Sequence, residues 1–243
     1  MAWPDDTGAR GARREEHLVS ALATFKDLSI DAVDPPRLGR FWAAALDLEL
    51  EEHEDGLVAL RGRTPQHTIW HAPVPEPVTV KQRVHLDLHA RSADDVLALG
   101  ASPLDLDTFR WRVLRDPEGG ELCVFEREAV PAERLYEIVV ACDDPTPAAR
   151  FWAEVLGASL HSEDDHGVWW WLEDVPGAPF EALTFVPVPE PKTVKNRIHW
   201  DVEAPDLDAL VAAGARVVRP RDDEIGWTVL ADPQGNEFCA FTP

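Results

Sequence analysis

A stretch that occurs twice constrains the fold of this 243-residue chain more than any other feature. Residues 73–87 read PVPEPVTVKQRVHLD and residues 187–201 read PVPEPKTVKNRIHWD, so eleven of fifteen positions are identical at a displacement of 114. Other pairs, such as Trp111 and Trp227, keep nearly the same displacement. Internal similarity of this kind indicates duplicated structural units. The chain is therefore predicted to consist of two homologous halves.

The duplication divides the chain into four segments. We predict an N-terminal tail over residues 1–24, a first domain over 25–127, a linker over 128–134 and a second domain over 135–243. Each domain has about 110 residues, which is enough to bury a core of its own. The tail carries Gly, Pro and mixed charge without a period, and a short helix is expected at 14–22.

Charge and composition exclude several classes of protein. The net charge is -22, from 45 acidic and 23 basic residues, and such a surface repels nucleic acid and anionic membranes. No apolar run is long enough to span a bilayer. Three cysteines are too few for a disulfide framework, and the first residues lack the apolar core of a signal peptide. We predict an acidic cytoplasmic protein whose partner is a small-molecule ligand, with no nucleic acid and no membrane.

Secondary-structure signals follow one order four times. Leu28 and Ile30 alternate with polar neighbours, as in a half-buried strand, and Asp34 followed by two prolines is typical of a helix start. Phe41 and Trp42 then fall on the apolar face of that helix and are expected in the core. Three short extended runs follow. The same order begins again near residues 83, 136 and 197, so four β-α-β-β-β units are predicted.

Three sequence motifs resemble those of the vicinal oxygen chelate superfamily, and within it those of the glyoxalase-like (glyoxalase/bleomycin resistance) domains. They are DPTPAARFW at 144–152, RIHWD at 197–201 and DPQGNEFC at 232–239. The resemblance covers roughly residues 25–243 and implies an α+β fold of two tandem domains, each with two β-α-β-β-β units that form a curled mixed sheet around a cavity. Single-domain members often dimerise, so either a monomer or a homodimer is expected.

The resemblance also implies positions for metal ligands. In metal-using members the ligands come from the opening strand, the strand that starts the second unit and the last strand. These positions fall on Asp27, His85 and Cys123 in the first half and on Glu137, His199 and Cys239 in the second. The last-strand ligand is normally a glutamate, and here Glu121 and Glu237 lie two residues before the cysteines.

The chemistry of these residues leaves two alternatives. Carboxylate, imidazole and thiolate together suit zinc, and iron, manganese or nickel are further possible ions. His85 and His199 are also candidates for a general base. Alternatively, each set is a hydrogen-bonded polar cluster without metal, in which cysteine behaves as a small hydrophobe. The favoured expectation is that no cofactor is bound.

Ten tryptophans are an unusual number for this length. Trp70, Trp111, Trp171 and Trp227 lie on predicted strands and are candidates for stacking against a flat ligand, although a core position is an equal alternative. Arg83 and Arg197 share a strand face with the two histidines, because residues two apart in a strand point the same way. We include these two arginines as candidate ligand-binding residues.

Three functions are compatible with these features. The first is a metal-free protein of the bleomycin resistance type, which binds a small apolar or aromatic molecule in a Trp-lined cavity. The alternative is a metal-dependent enzyme of the superfamily, a lyase, isomerase or dioxygenase. A second alternative is a non-catalytic regulatory or partner-binding module. Whether the chain is an enzyme stays open between them.

Overall fold

The computed structural model describes residues 13–15, 21–162 and 169–243. Four β-α-β-β-β units follow one another, as the sequence predicts. The first half contains β2 (Thr24–Ala32), α1 (Pro35–Leu46), β3 (Glu49–Glu52), β4 (Val58–Arg61), β5 (Ile69–Pro73), β6 (Val84–Ala90), α2 (Ala93–Ala98), β7 (Ser102–Asp105), β8 (Arg112–Arg115) and β9 (Glu121–Glu126). The second half contains β10 (Leu135–Cys142), α3 (Pro145–Leu156), β11 (Ser159–Ser162), β12 (Trp170–Glu173), β13 (Ala182–Pro187), β14 (Ile198–Glu203), α4 (Leu207–Ala213), β15 (Arg216–Arg219), β16 (Thr228–Ala231) and β17 (Glu237–Phe241).

The two longer helices begin in the same way. Asp34 accepts a hydrogen bond from the backbone N–H of Arg37 in α1, Asp144 accepts one from Thr146 in α3, and both helices carry proline in the first turn. A side-chain acceptor at the N-cap satisfies a backbone donor that the helix leaves unpaired, and proline is pre-set for the first helical position. The helix start predicted after Asp34 is therefore confirmed.

The apolar faces of these helices pack against the sheets. Phe41 and Trp42 in α1 and Phe151 and Trp152 in α3 are all buried in the core. The prediction that Phe41 and Trp42 belong to the core is confirmed. A helix whose large side chains lie on one stripe is held by this burial more than by its own propensity.

Each of the two sheets combines one unit from each half of the chain. With the short N-terminal strand β1 (Arg13–Glu15), the nine-stranded sheet has the order β1-β11-β12-β13-β10-β6-β9-β8-β7. The eight-stranded sheet has the order β15-β16-β17-β14-β2-β5-β4-β3. At the centre of the first sheet β10 pairs antiparallel with β6, and at the centre of the second β14 pairs antiparallel with β2. The α+β fold of tandem units is as predicted, and the pairing of units across the two halves is a finding of the structure.

Alternation along the central strands separates an apolar face from a polar one. Leu86 on β6 and Ile138 on β10 are fully buried neighbours in the core. His85, Asp87 and Glu137 therefore point to the opposite face, because successive side chains in a strand alternate. The functional candidates accumulate on this second face.

The N-terminal tail differs from the expectation. Arg13–Glu15 forms a short strand, β1, that pairs antiparallel with β11, where part of a helix was predicted at 14–22. Residues 16–20 of that predicted helix lie outside the described residues. Among the described residues, none of the helices has the length and apolar character needed to cross a bilayer.

Candidate functional site

A cluster of His, Asp and Cys lies at the centre of the first sheet. His85 and Asp87 are two residues apart on β6 and point the same way. Asp87 is the register partner of Cys123 on β9 and of Glu137 on β10. One ligand atom each of His85, Asp87 and Cys123 lies within 4.8 Å of the other two, and His85 Nε2 is 3.3 Å from Asp87 Oδ1. We call these three residues, with Glu137 beside them, the His85 cluster.

The second sheet repeats the arrangement around β14. Asp201 is the register partner of Cys239 on β17 and of Asp27 on β2. His199 Nε2 is 3.5 Å from Asp201 Oδ1 and 3.5 Å from Cys239 Sγ. The ligand atoms of these three residues again lie within 4.8 Å of one another. We call them, with Asp27, the His199 cluster.

The sequence-based grouping of ligands by half is wrong for both opening-strand carboxylates. Asp27 was grouped with His85 and Cys123, but it lies in the other sheet beside Asp201. Glu137 was grouped with the second half, but it lies beside Asp87. The reason is the pairing of β2 with β14 and of β10 with β6, which exchanges the carboxylates between the two sites.

Two members of the clusters were missing from the predicted ligand set. Asp87 and Asp201 each lie two residues after the cluster histidine, and each contributes one of the three closely spaced ligand atoms. The spacing His-x-Asp within a strand would have identified them, since it places both side chains on the same face.

A lysine distinguishes the two clusters. Lys26 Nζ is 2.5 Å from Asp27 Oδ2, and Trp70 Nε1 donates a hydrogen bond of 3.1 Å to the same oxygen. In the His85 cluster the residue before Glu137 is Tyr136, not lysine. Glu137 Oε2 instead accepts a hydrogen bond of 3.0 Å from Thr184 Oγ1. Only the His199 cluster therefore has an ammonium group at this position.

The electrostatics of the His199 cluster favour neutral side chains. Burial raises the pKa of Asp201 well above its ordinary value, and the negative charge of Asp27 raises it further. Burial lowers the pKa of His199 to about 4, and it raises the pKa of the Cys239 thiol. Desolvation disfavours the charged form of each group, so imidazole and thiol are both neutral at pH 7. With Lys26 paired to Asp27, this cluster is close to electrical balance without a metal ion.

The His85 cluster is the better candidate for a divalent ion, because it lacks the lysine that neutralises a carboxylate in the His199 cluster. Burial raises the pKa of Cys123, and the charge of Asp87 adds to the effect. A bound cation reverses this balance, because it stabilises both thiolate and carboxylate. Asp87 Oδ1 is buried and accepts no hydrogen bond from the residues described. Nitrogen, oxygen and sulfur donors at such spacing fit zinc.

Two of the four candidate tryptophans retain exposed surface near the His199 cluster. Trp70, which is hydrogen-bonded to Asp27, is half-buried, and so is Trp227. The Trp227 ring lies 5.4 Å from the ring of Phe241, over which Lys26 Nζ sits at 4.3 Å. Aromatic side chains with exposed surface therefore lie beside the His199 cluster.

The other two candidate tryptophans are buried by their neighbours. Trp111 is 7% exposed and stacks on Phe109 at 5.0 Å and on Phe125 at 5.5 Å. Trp171 is 3% exposed and stacks on His161 at 5.6 Å. Since protein rings already cover them, they offer little surface for stacking on a ligand.

Arg83 and Arg197 join the two repeated stretches to each other. Arg83 donates a hydrogen bond to the backbone carbonyl of Glu190, and Arg197 donates one of 2.6 Å to the carbonyl of Glu76. Glu76 and Glu190 are equivalent positions of the repeat. The two arginines thus make reciprocal contacts across the duplication, and Arg197 also pairs with Glu118 at 3.2 Å.

Comparison with known proteins gives the same fold. The family model of the glyoxalase-like domain matches the chain twice, over residues 27–125 and 137–241. No curated protein sequence gives a match.

Glyoxalase I from Zea mays superposes with a TM-score of 0.59 at 12% identity, covering 90% of this chain and 92% of its own. For a candidate dioxygenase from Bacillus subtilis the TM-score is 0.62 at 13% identity, with 93% and 87% covered. For the CppA protein from Streptococcus pneumoniae it is 0.52 at 12% identity, with 92% and 100% covered. At these identities the likeness extends to the fold and not to an activity.

Proposed function

Because the chain belongs to the glyoxalase-like domain family, in two tandem copies, we propose that it is an enzyme that uses a divalent metal ion held by the His85 cluster. One observation carries this proposal: His85, Asp87 and Cys123 present an imidazole nitrogen, a carboxylate oxygen and a thiol sulfur within 4.8 Å of one another on one sheet face. Three protein ligands leave a coordination position for substrate, as in catalytic zinc sites.

The proposal assigns a separate role to Glu137. When bound, the ion supplies Lewis-acid polarisation of a substrate oxygen. Glu137 lies opposite Asp87 on the adjacent strand, and its Oε2 accepts a hydrogen bond from the hydroxyl of Thr184, which orients the carboxylate. A carboxylate fixed beside the polarised group can accept a proton from the carbon next to a carbonyl. The reaction class that fits is an isomerase or lyase reaction of a small carbonyl compound that begins with this proton transfer.

Elemental analysis tests the metal site directly. The purified, tag-free protein is analysed before and after incubation with zinc, iron, manganese and nickel, together with the variants His85→Ala and His199→Ala. We expect about one ion per chain in the wild type and in His199→Ala, and none in His85→Ala. The matched pair separates the sites, because each variant removes the equivalent imidazole. A folded wild-type protein that takes up no metal, or equal loss in both variants, would contradict the proposal.

The His199 cluster supports a second candidate function, which is metal-free binding of an aromatic or apolar molecule. The observation in its favour is that Lys26 already neutralises Asp27, while Trp70 and Trp227 keep exposed surface beside it. In a screen of small aromatic compounds by tryptophan fluorescence, Trp227→Ala should weaken a confirmed ligand about tenfold, whereas Trp111→Phe should leave its affinity unchanged. The same affinity in Trp227→Ala and wild type would exclude this role.

A further inference from the structure

A cavity of about 810 Å³ lies between the two repeated stretches, outside the His85 and His199 clusters. Its wall is formed by residues 76–83 of the first copy and 190–197 of the second, with Asp31 and Val74. The volume falls in the range of small-ligand sites, about 300–1,000 Å³. Val78, Val80 and Val194 contribute apolar surface to it. The cavity is therefore large enough, and apolar enough, to enclose a small organic molecule.

Cationic residues are concentrated in the wall of this cavity. The chain has a net charge of -22 and only four lysines, yet three of those lysines line the cavity. Cationic residues in the wall outnumber acidic ones by five to three; they are Lys81, Arg83, Lys192, Lys195 and Arg197, against Asp31, Glu76 and Glu190. A cation in this wall that has no acidic partner, beside apolar side chains, can attract an anion.

The cations of the second copy already have carboxylate partners. Lys195 Nζ is 2.8 Å from Asp31 Oδ2, and Arg197 is 3.2 Å from Glu118 Oε2. Lys192 forms a third pair, 2.7 Å from Glu237 Oε1. These side chains are neutralised within the protein.

Asp31 and Glu118, the acids that neutralise Lys195 and Arg197, belong to the first half of the chain. The equivalent positions in the second half are occupied by uncharged residues. The backbone N–H of Asp31 donates to the carbonyl of Arg197, and that of Ala141 donates in the same way to Arg83, so Ala141 occupies the place of Asp31. Glu118 accepts from the N–H of Asp34, and Gln234 accepts from that of Asp144. Gln234 therefore occupies the place of Glu118.

Lys81 and Arg83 are consequently the cations without an internal acid. Within the described part of the chain, Lys81 makes no hydrogen bond or ion pair, and the described hydrogen bond of Arg83 goes to a backbone carbonyl. Gln82, which lies between them in the sequence, has a side-chain oxygen that is buried beside Gly120 without a hydrogen-bond partner in the described structure.

We propose that the cavity between the repeats binds a small carboxylate with an apolar chain, whose carboxylate lies between Lys81 and Arg83 and whose chain contacts the valines. In the second copy Lys195 and Arg197 each pair with a carboxylate of the protein, and a bound carboxylate supplies that charge to the equivalent cations of the first copy. An ammonium and a guanidinium both form charge-assisted hydrogen bonds to carboxylate oxygens. The site is independent of the metal proposed for the His85 cluster.

Binding of octanoate to the full-length protein, measured by isothermal titration calorimetry, tests the proposal. We expect saturable binding of octanoate and none of octylammonium, which has the same chain with the opposite charge. Gln234→Glu introduces the acid that Glu118 provides at the equivalent position of the other copy. The new carboxylate should pair with Arg83 and lower the affinity for octanoate about tenfold. Lys81→Gln should weaken it to a similar extent.

The matched control is Gln66→Glu, which makes the same chemical change at a residue that does not line the cavity. This variant should bind octanoate as the wild type does, and so should His85→Ala. Failure of octanoate to bind the wild type would overturn the proposal, as would equal affinities of Gln234→Glu and Gln66→Glu. Since Gln234 lies on a surface turn, its substitution tests the charge without removing a cavity wall.

Discussion

Asp201 on β14 and Asp27 on β2 lie directly opposite each other, one carboxyl group from each half of the chain. Both are buried, and one oxygen of each accepts no hydrogen bond from the described residues. Asp27 is paired with Lys26, whereas the pKa of Asp201 is raised by burial and by the charge of Asp27. The two acids therefore contribute to stability in opposite directions at neutral pH.

Asp201→Asn is expected to raise the free energy of unfolding at pH 8. The folded state holds the proton of Asp201 more tightly than the unfolded state, so this group's contribution to stability is present at low pH and is lost as the pH rises through its raised pKa. Asparagine cannot ionise and avoids that loss. Urea unfolding from pH 4 to pH 8 should show a gap between variant and wild type that widens with pH. Asp27→Asn removes the partner of Lys26 and should instead be destabilising by about 1 kcal/mol.

Lys26→Tyr should increase the metal content from about one ion to about two ions per chain, if the His85 cluster is the metal site. The substitution copies Tyr136 and frees Asp27 from its ammonium partner. The reverse change, Tyr136→Lys, places an ammonium beside Glu137 and should abolish metal uptake. Elemental analysis of both folded variants measures the number of metal ions per chain. If that number is the same as in the wild type for both variants, Lys26 does not distinguish the clusters.

His71→Phe should make the protein more resistant to acid. His71 is fully buried under α1, and neither ring nitrogen has a hydrogen-bond partner among the described residues. Burial lowers its pKa to about 4 from an ordinary 6.5, so its contribution to stability falls as the pH drops from about 6.5 to about 4. The full cost of protonation is about 3 kcal/mol. Chemical unfolding measures the free energy of unfolding at pH 4.5 and pH 7.5. The difference between the two values should be smaller in the variant than in the wild type.

The second copy offers a reciprocal control for His71. Phe185 is the equivalent residue and is completely buried, since β13 pairs with β12 as β5 pairs with β4. Phe185→His should therefore introduce an additional loss of stability below pH 6.5. Some acid sensitivity will remain in His71→Phe, because the pKa of His199 is also lowered to about 4 by burial. Identical pH profiles for wild type and His71→Phe would contradict the assignment.

Trp152→Phe should be more destabilising than Trp42→Phe by about 2 kcal/mol. The two residues are equivalent in the duplication and are both buried. Trp152 Nε1 donates a hydrogen bond of 3.1 Å to Asp232 Oδ2, whereas Trp42 Nε1 has no partner in the described structure. Removing the first indole takes away one of the two donors to Asp232 Oδ2 and leaves only Asn236 Nδ2, at 3.0 Å, among the described residues. Equilibrium unfolding of the two variants measures the difference, and equal losses would indicate that the hydrogen bond contributes little.

Local order was predictable from the sequence because its causes are local. Asp34 before two prolines starts α1, and the spacing of Phe41 and Trp42 defines its buried face. The alternation along 83–87 places His85 and Asp87 on one face of β6. The repeat of the 73–87 stretch at 187–201 then predicts the same units a second time. These signals were sufficient for the α+β class, the order of the elements and the residue types of the candidate site.

The sequence by itself determined which side chains point to the polar face of each strand, and the tertiary structure decided which of them meet. Asp27 joins Asp201, and Glu137 joins Asp87, because β2 pairs with β14 and β10 with β6. Strand partners are selected by burial of apolar surface over the whole molecule, and neither periodicity nor motif spacing contains that information. The burial of Trp111 and Trp171 likewise depends on rings from other segments. Local alternation thus placed these side chains on the polar faces of their strands, and long-range packing assigned each of them to its cluster.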